Sequence, residues 1–202
     1  MAAQSMKPAG TSAKDFVPDG WEVKEARGDL NKDGLDDLVI IATPDDAENL
    51  YTRDDGYVFN FNQPVLGICL GSADGRFRLW KEYGDVMNYQ KEEYLFVESS
   101  LEITPRGTLQ ICLEYSASAG SSETTLNTYT FRFQNGDMML IGKDEYSMSR
   151  YSGESEEVSC NYLTRKCKTT KSNAFDPDVK DKVAWTTLPK APLKRLGDFM
   201  IE

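Results

Sequence analysis

The sequence predicts an all-β protein built as an antiparallel meander. Three observations carry that prediction. Apolar and polar residues alternate over much of the chain, which is the period of half-buried strands rather than helices. The breaks hold turn residues such as Asp74-Gly75, Pro105-Arg106-Gly107 and Asn135-Gly136, at the short spacing of hairpins rather than of βαβ units. No segment of helical period runs beyond two turns.

Residues 1–14 are small and polar, with Lys7-Pro8-Ala9-Gly10-Thr11-Ser12-Ala13, and read as a flexible leader. Residues 15–202 are expected to form a single all-β domain: a first unit over 15–84, then a meander and C-terminal tail over 85–202. Residues 21–26 alternate as a half-buried strand. Residues 38–42 are apolar throughout, so they should form a central strand covered on both faces. The aspartate-rich stretch 43–56 reads as an exposed loop. Residues 65–71 and 77–80 are paired strands around the Ser72-Ala73-Asp74-Gly75 turn.

Longer alternating segments follow at 94–104, 108–116, 125–134, 138–146 and 156–163. The clearest hairpin is at Gln134-Asn135-Gly136-Asp137, since Asn-Gly suits a type I′ turn. The Ser118–Ser122 stretch reads as a flexible connection. At most one short helix is expected, over 176–183, with Asp176 as N-cap, Pro177 at the first helical position, and Val179 and Val183 one turn apart. Residues 196–201 read as a last strand.

Composition narrows the function. The formal net charge is -10, which argues against nucleic acid and anionic membranes as partners. The chain has no histidine, which removes Ser-His-Asp and Cys-His catalysis and histidine-bearing zinc sites. No apolar run approaches the ~18–20 residues of a transmembrane helix. The first residues lack a basic region followed by an apolar one, so no intact signal peptide is visible. This fits a start after a removed signal as well as a cytosolic start.

Of the four cysteines, Cys69 and Cys112 lie within apolar strands and read as small buried side chains. Cys160 and Cys167 flank a stretch that would place them opposite each other if it is a tight hairpin centred on Leu163-Thr164. A two-residue loop would make them a hydrogen-bonded pair. They are then a disulfide candidate in an oxidising compartment and two free thiols otherwise.

One stretch carries specific chemistry: Gly28-Asp29-Leu30-Asn31-Lys32-Asp33-Gly34-Leu35-Asp36-Asp37-Leu38-Val39. Calcium prefers six to eight oxygen ligands. Asp29, Asn31 and Asp33 can supply three side-chain oxygens from one bend, Gly34 permits the turn, and Leu35 offers its carbonyl while its side chain packs inward. Counted from Asp29, the twelfth position is Ile40, which cannot ligate, so this is not an EF-hand. The ninth is Asp37, taken as the fifth ligand. Asp36 is read as solvent-facing, with a swap between the two left open. Carboxylates this close repel: two charges ~4 Å apart cost about 4 kcal/mol at an effective dielectric near 20. A structural calcium ion would relieve that cost.

These residues resemble the FG-GAP repeat, also seen in VCBS-type bacterial repeats and integrin propellers. Gly71-Ser72-Ala73-Asp74-Gly75-Arg76-Phe77 matches the family's second signature, Gly-x-x-x-Gly-x-Phe. The resemblance covers about residues 20–84. It implies one propeller-blade-like unit in which Asp29, Asn31, Asp33, Leu35 (carbonyl) and Asp37 hold calcium. No second copy of the signature occurs, whereas a closed propeller needs typically 4–8 blades. The whole chain also resembles, more loosely, small secreted or periplasmic bacterial proteins with one such loop near the N-terminus.

The expected function is therefore a non-catalytic, calcium-stabilised extracytoplasmic protein, periplasmic or secreted and monomeric. It would bind or adhere to an unknown protein or carbohydrate. Tyr83, Tyr89 and Tyr94 are the aromatic candidates for a contact surface. The alternative is a hydrolase acting on glycans with paired carboxylates, for which Glu92-Glu93 and Glu156-Glu157 are formal candidates. Adjacent strand residues point to opposite faces, so neither pair is a natural dyad.

Overall fold

The computed structural model describes residues 6–202. Its strands are β1 (Ala9–Gly10), β2 (Glu22–Gly28), β3 (Asp37–Thr43), β4 (Leu50–Thr52), β5 (Val58–Asn60), β6 (Val65–Gly71), β7 (Phe77–Tyr83), β8 (Leu95–Ile103), β9 (Thr108–Ala117), β10 (Glu123–Gln134), β11 (Asp137–Ser149), β12 (Glu154–Asn161), β13 (Lys166–Asn173) and β14 (Lys182–Thr187). They form a five-stranded sheet in the order β1-β7-β6-β3-β2, a seven-stranded sheet running β14 to β8 in reverse chain order, and the hairpin β4-β5. Every strand pairing is antiparallel. The protein is all-β, and its antiparallel sheets include a curled half-barrel.

β3 explains how the layers stack. Leu38, Val39, Ile40, Ile41 and Ala42 are all buried, so both faces of this interior strand need a cover. Val39 and Ile41, with Leu66 and Ile68 of β6, pack against Leu109, Ile111 and Leu113 of β9, Tyr129 and Phe131 of β10, and Met138 and Leu140 of β11. Leu38, Ile40 and Ala42 face the other way, onto Met6, Ala13, Phe16 and Val17.

The second cover corrects the expected leader. Residues 1–5 lie outside the described residues, but 6–14 are packed. Met6 N donates to Glu82 Oε2 at 2.8 Å, β1 pairs with β7, and Asp15 Oδ2 accepts the Thr11 and Ser12 N–H groups. A Cβ on Gly67 would collide with the Met6 sulfur. The stretch reads as polar linker because its few apolar residues lack periodicity. Their role is visible only once β3 offers them an uncovered face.

Four other expectations change. The 43–56 loop contains β4, because Arg53 and Gly56 close a turn that pairs Tyr51 with Phe59. Residues 176–183 form a single turn, Val179 N to Asp176 O at 3.2 Å, and then strand β14. A helix of two turns is marginal alone, and Val179 and Val183 are exposed, so it would bury no apolar face here. The tail forms no strand over 196–201 but two isolated bridges, Arg195 with Met139 and Ile201 with Met87. Ile201 is nevertheless buried, and Asn127 and Tyr129 donate side-chain hydrogen bonds to the Glu202 carbonyl. The Ser118–Ser122 connection is held by Arg150, whose guanidinium donates to the Ala117, Ser121 and Ser122 carbonyls.

Cys160 and Cys167 are disulfide-bonded and directly opposed across β12 and β13. The loop between them has four residues outside the ladder rather than two. The Cα–Cα distance of 4.1 Å matches a non-hydrogen-bonded pair, not the hydrogen-bonded pair expected. Cys69 is buried, with its thiol pushed up to about 12 by desolvation. Cys112 is half-buried and accepts from Thr128.

Two outcomes test this architecture. Phe16→Ala, at a residue with 0% exposure, should cost about 3–5 kcal/mol in urea unfolding; a loss below 1 kcal/mol would mean the N-terminal cover is dispensable. Reducing the disulfide closes no new path in the native state but frees a short loop, with sequence separation 7, in the unfolded one. It should cost roughly 2–3 kcal/mol, read as a lower melting temperature in reductant that Cys160→Ser reproduces.

Candidate metal centre

The acidic loop leaves β2 at Gly28 and enters β3 at Asp37. Leu30 (1% exposed) anchors it, sinking into the core between the sheets. Sequence reasoning gave the anchoring role to Leu35, which is only half-buried. Leu30 occupies one of the alternate positions between ligand candidates, where a side chain turned away from the oxygens meets the core.

Asp29 organises the bend. Its Oδ1 accepts the Lys32 N–H at 2.6 Å and the Asp33 N–H at 3.2 Å, and its Oδ2 accepts the Gly34 N–H at 2.9 Å. Lys32 and Gly34 both have positive φ, 65° and 85°, the left-handed turn that glycine favours. Asn31 Oδ1 accepts the Asp33 N–H, Asn31 Nδ2 donates to Asp33 Oδ2, and Asp33 Oδ1 accepts the Leu35 N–H. The structure thus brings Asp29, Asn31 and Asp33 into one hydrogen-bonded cluster. A carboxylate has about four lone-pair sites, so Asp33 and Asp29 retain acceptor capacity after these bonds.

Asp37 is placed differently. It is completely buried. Oδ2 accepts Leu30 N–H at 2.9 Å and Asn31 N–H at 3.4 Å, while Oδ1 accepts Gly71 N–H at 2.9 Å. It therefore clasps the start of the loop to the end of β6. Gly71 is required there, because a Cβ would run into the Asp36 carbonyl. Burial raises the Asp37 pKa above its ordinary value; the three N–H groups oppose the rise and the Asp33 charge adds to it. Asp36 is exposed, as expected. The turn after β8 completes the enclosure: a Cβ on Gly107 would strike the Asp29 carbonyl.

Among the described residues, no three His, Cys, Asp or Glu side chains converge on one point. The carboxylates of Asp29, Asp33 and Asp37 are each turned onto backbone N–H groups. The donor set, hard oxygens on one tight bend, has the chemistry of a calcium site. Loading it would exchange some of these N–H contacts, first the Asn31–Asp33 contact, for the ion.

The two formal carboxylate candidates are placed as follows. Glu156 pairs with Lys171 at 2.5 Å, and Glu157, its strand neighbour, lies on the opposite face. Glu92 and Glu93 lie in a tight turn closed by a Glu92–Leu95 bridge. Of the three tyrosines singled out, Tyr83 has its hydroxyl buried without a partner and its pKa pushed up to about 12 by burial. Tyr89 lines a cleft of about 210 Å³ with Tyr57, Phe59, Glu22, Lys24 and Asn88. Tyr94 is exposed, and its carbonyl receives the Ser118 N–H.

Sequence reasoning missed the aromatic hairpin above that cleft, where Tyr51 and Phe61 stack and Arg53 lies over Tyr57 and Phe59. Its signal was the Asp55-Gly56 turn between Tyr51 and Phe59.

Asp37→Ala should destabilise the protein by at least about 2 kcal/mol, because it orphans the buried Leu30 donor and two partly buried ones. The loss should be similar with calcium and with chelator, since the clasp is made by protein alone. A loss confined to calcium-containing buffer would instead make Asp37 purely an ion ligand. No protein-family model, curated protein or solved structure matches this chain.

Proposed function

We propose that the protein is a non-catalytic, calcium-braced extracytoplasmic binding protein, monomeric before it meets its partner. The observation that carries the reading is the Asp29–Asn31–Asp33 cluster at the mouth of the most buried strand. An ion there would tie β2, β3 and the end of β6 at one point. The blade-like reading is supported by the antiparallel order β7-β6-β3-β2, with the acidic loop between its first two strands.

Two further features support binding outside the cytosol. A disulfide persists in oxidising compartments, which favours a periplasmic or secreted location. Large aromatic side chains are exposed at several places, among them the β4–β5 hairpin (Tyr51, Tyr57) and β14 (Trp185), and such side chains suit protein or carbohydrate contacts. The protein surface rather than the ion would then meet the partner.

Thermal unfolding in calcium and in chelator tests the brace. At free calcium a hundredfold above Kd the native state gains about 2.7 kcal/mol, a rise in melting temperature of roughly 5–10 °C for a chain of this size. Asp33→Ala should remove most of that rise and leave the chelator melt nearly unchanged, because Asp33 is exposed. Superimposable wild-type melts in calcium and chelator would sink the brace.

A further inference from the structure

β14 ends the seven-stranded sheet, and no strand pairs with its far side among the described residues. All six of its residues are exposed, including Val183 at 52% and Trp185 at 65%. The hydrogen-bond register shows which backbone groups are free. Leu188 N–H bonds the Arg165 carbonyl, and the pairing continues as Thr187 with Lys166, Thr186 with Cys167, and Trp185 with Lys168. Hydrogen-bonded and non-hydrogen-bonded pairs alternate in an antiparallel ladder. Thr186, Ala184 and Lys182 therefore spend their backbone groups on β13. Thr187, Trp185 and Val183 direct theirs to the open side. The Cys160–Cys167 pair agrees with this phase, since Cys167 is bonded to β14 and not to β12.

The side chains sort the same way. Val183, Trp185 and Thr187 stand on the outer face beside Thr170, Lys168 and Lys166; Lys182, Ala184 and Thr186 stand on the core-facing side beside Lys171, Thr169 and Cys167. β13 and β14 carry four lysines and no acidic residue, in a chain with 33 acidic against 23 basic side chains. Lys171 is paired with Glu156, and Lys168 and Lys182 have no acidic partner among the described residues. A lysine on an edge strand discourages unselective pairing, and a second copy of β14 carries no acidic residue to meet it. An acidic strand meets the opposite situation.

We propose that β14 is a docking edge for an extended acidic segment of another polypeptide. The segment adds as an eighth antiparallel strand. Its backbone pairs with Val183, Trp185 and Thr187, its apolar side chains cover Val183 and Trp185 on the outer face, and its carboxylates, on the core-facing side, meet Lys182. This mode takes affinity from main-chain bonds and specificity from alternate side chains. It rests on the reading of the chain as a binding protein and selects a protein partner over a carbohydrate.

The probe is a blocked eight-residue peptide alternating valine and glutamate, added to the full chain in calcium buffer. Binding should shift Trp185 emission to the blue. It should slow amide exchange at least tenfold at Val183, Trp185 and Thr187 while leaving Lys182, Ala184 and Thr186 unchanged. Lys182→Glu and Trp185→Thr should each weaken binding at least fivefold, with the circular dichroism melt confirming that both variants fold. The valine–lysine peptide should not bind. Absence of alternate-residue protection, or equal binding of the lysine peptide, overturns the proposal. So does a concentration-dependent doubling of mass abolished by Trp185→Thr, which would assign the edge to a second copy. Mass spectrometry of the recovered peptide separates the two readings: a cleaved probe defeats the non-catalytic assignment, whereas an intact, unbound one defeats only the docking edge.

Discussion

The fold depends on a strand that cannot face water on either side. Leu38 to Ala42 places five apolar residues in succession, and each of the four larger ones, Leu38 to Ile41, contributes about 1.5–3 kcal/mol when so buried. A sheet face alone covers half of them. The seven-stranded sheet takes Val39 and Ile41, and the N-terminal segment with Met6, Phe16 and Val17 takes the rest. The order of layers, the packing of the chain's beginning and the fixed position of the acidic loop follow from that requirement. Lys24 to the Ser99 carbonyl ties the edge strands β2 and β8, and Lys81 to Asp137 ties β7 to β11.

Much of this was legible because strand periodicity is local. The run at 38–42, the Asn135-Gly136 hairpin and the alternation through 108–134 each declare themselves within a few residues, and each appears as expected. What was not legible depends on partners distant in sequence. Met6 is an ordinary apolar residue until Gly67 provides the space for it. The segment 176–183 carries good helix-start chemistry at Asp176 and Pro177, but propensity is weak beside an available strand edge, and β13 supplies one. The acidic loop lay between these extremes. Its bend was readable from Asp29, Asn31, Asp33 and Gly34, whereas the partner of Asp37 is Gly71, thirty-four residues on.

The seven-stranded sheet is longer than its cover. Its core-facing side is apolar at Leu109, Ile111, Tyr129 and Phe131, then becomes polar at Thr125, Ser147, Glu156 and Lys171. These polar residues line open depressions rather than core. Sheets two layers deep need apolar faces only where the layers overlap. Beyond that boundary the strands are held by their ladders and, between β12 and β13, by the Cys160–Cys167 bond. Cys167 is itself buried, so the bond lies at the margin of that core.

Asp37 sits where the loop chemistry meets the core. Three N–H groups hold its carboxylate, yet its pKa is raised, because burial together with the Asp33 charge outweighs the hydrogen bonds. The nearby Asp33 charge acts in the same direction. A cation beside Asp33 would oppose it and lower the cost of keeping Asp37 ionised in the native state. The unfolded chain has no assembled site, so this gain would belong almost wholly to the folded form. It would act through Leu30 and Gly71 on the five-stranded sheet, on the far side of the core from β14. A partner strand on β14 and an ion in the loop share no residues. The ion would thus set how stable the scaffold is, while the free edge would set what it holds.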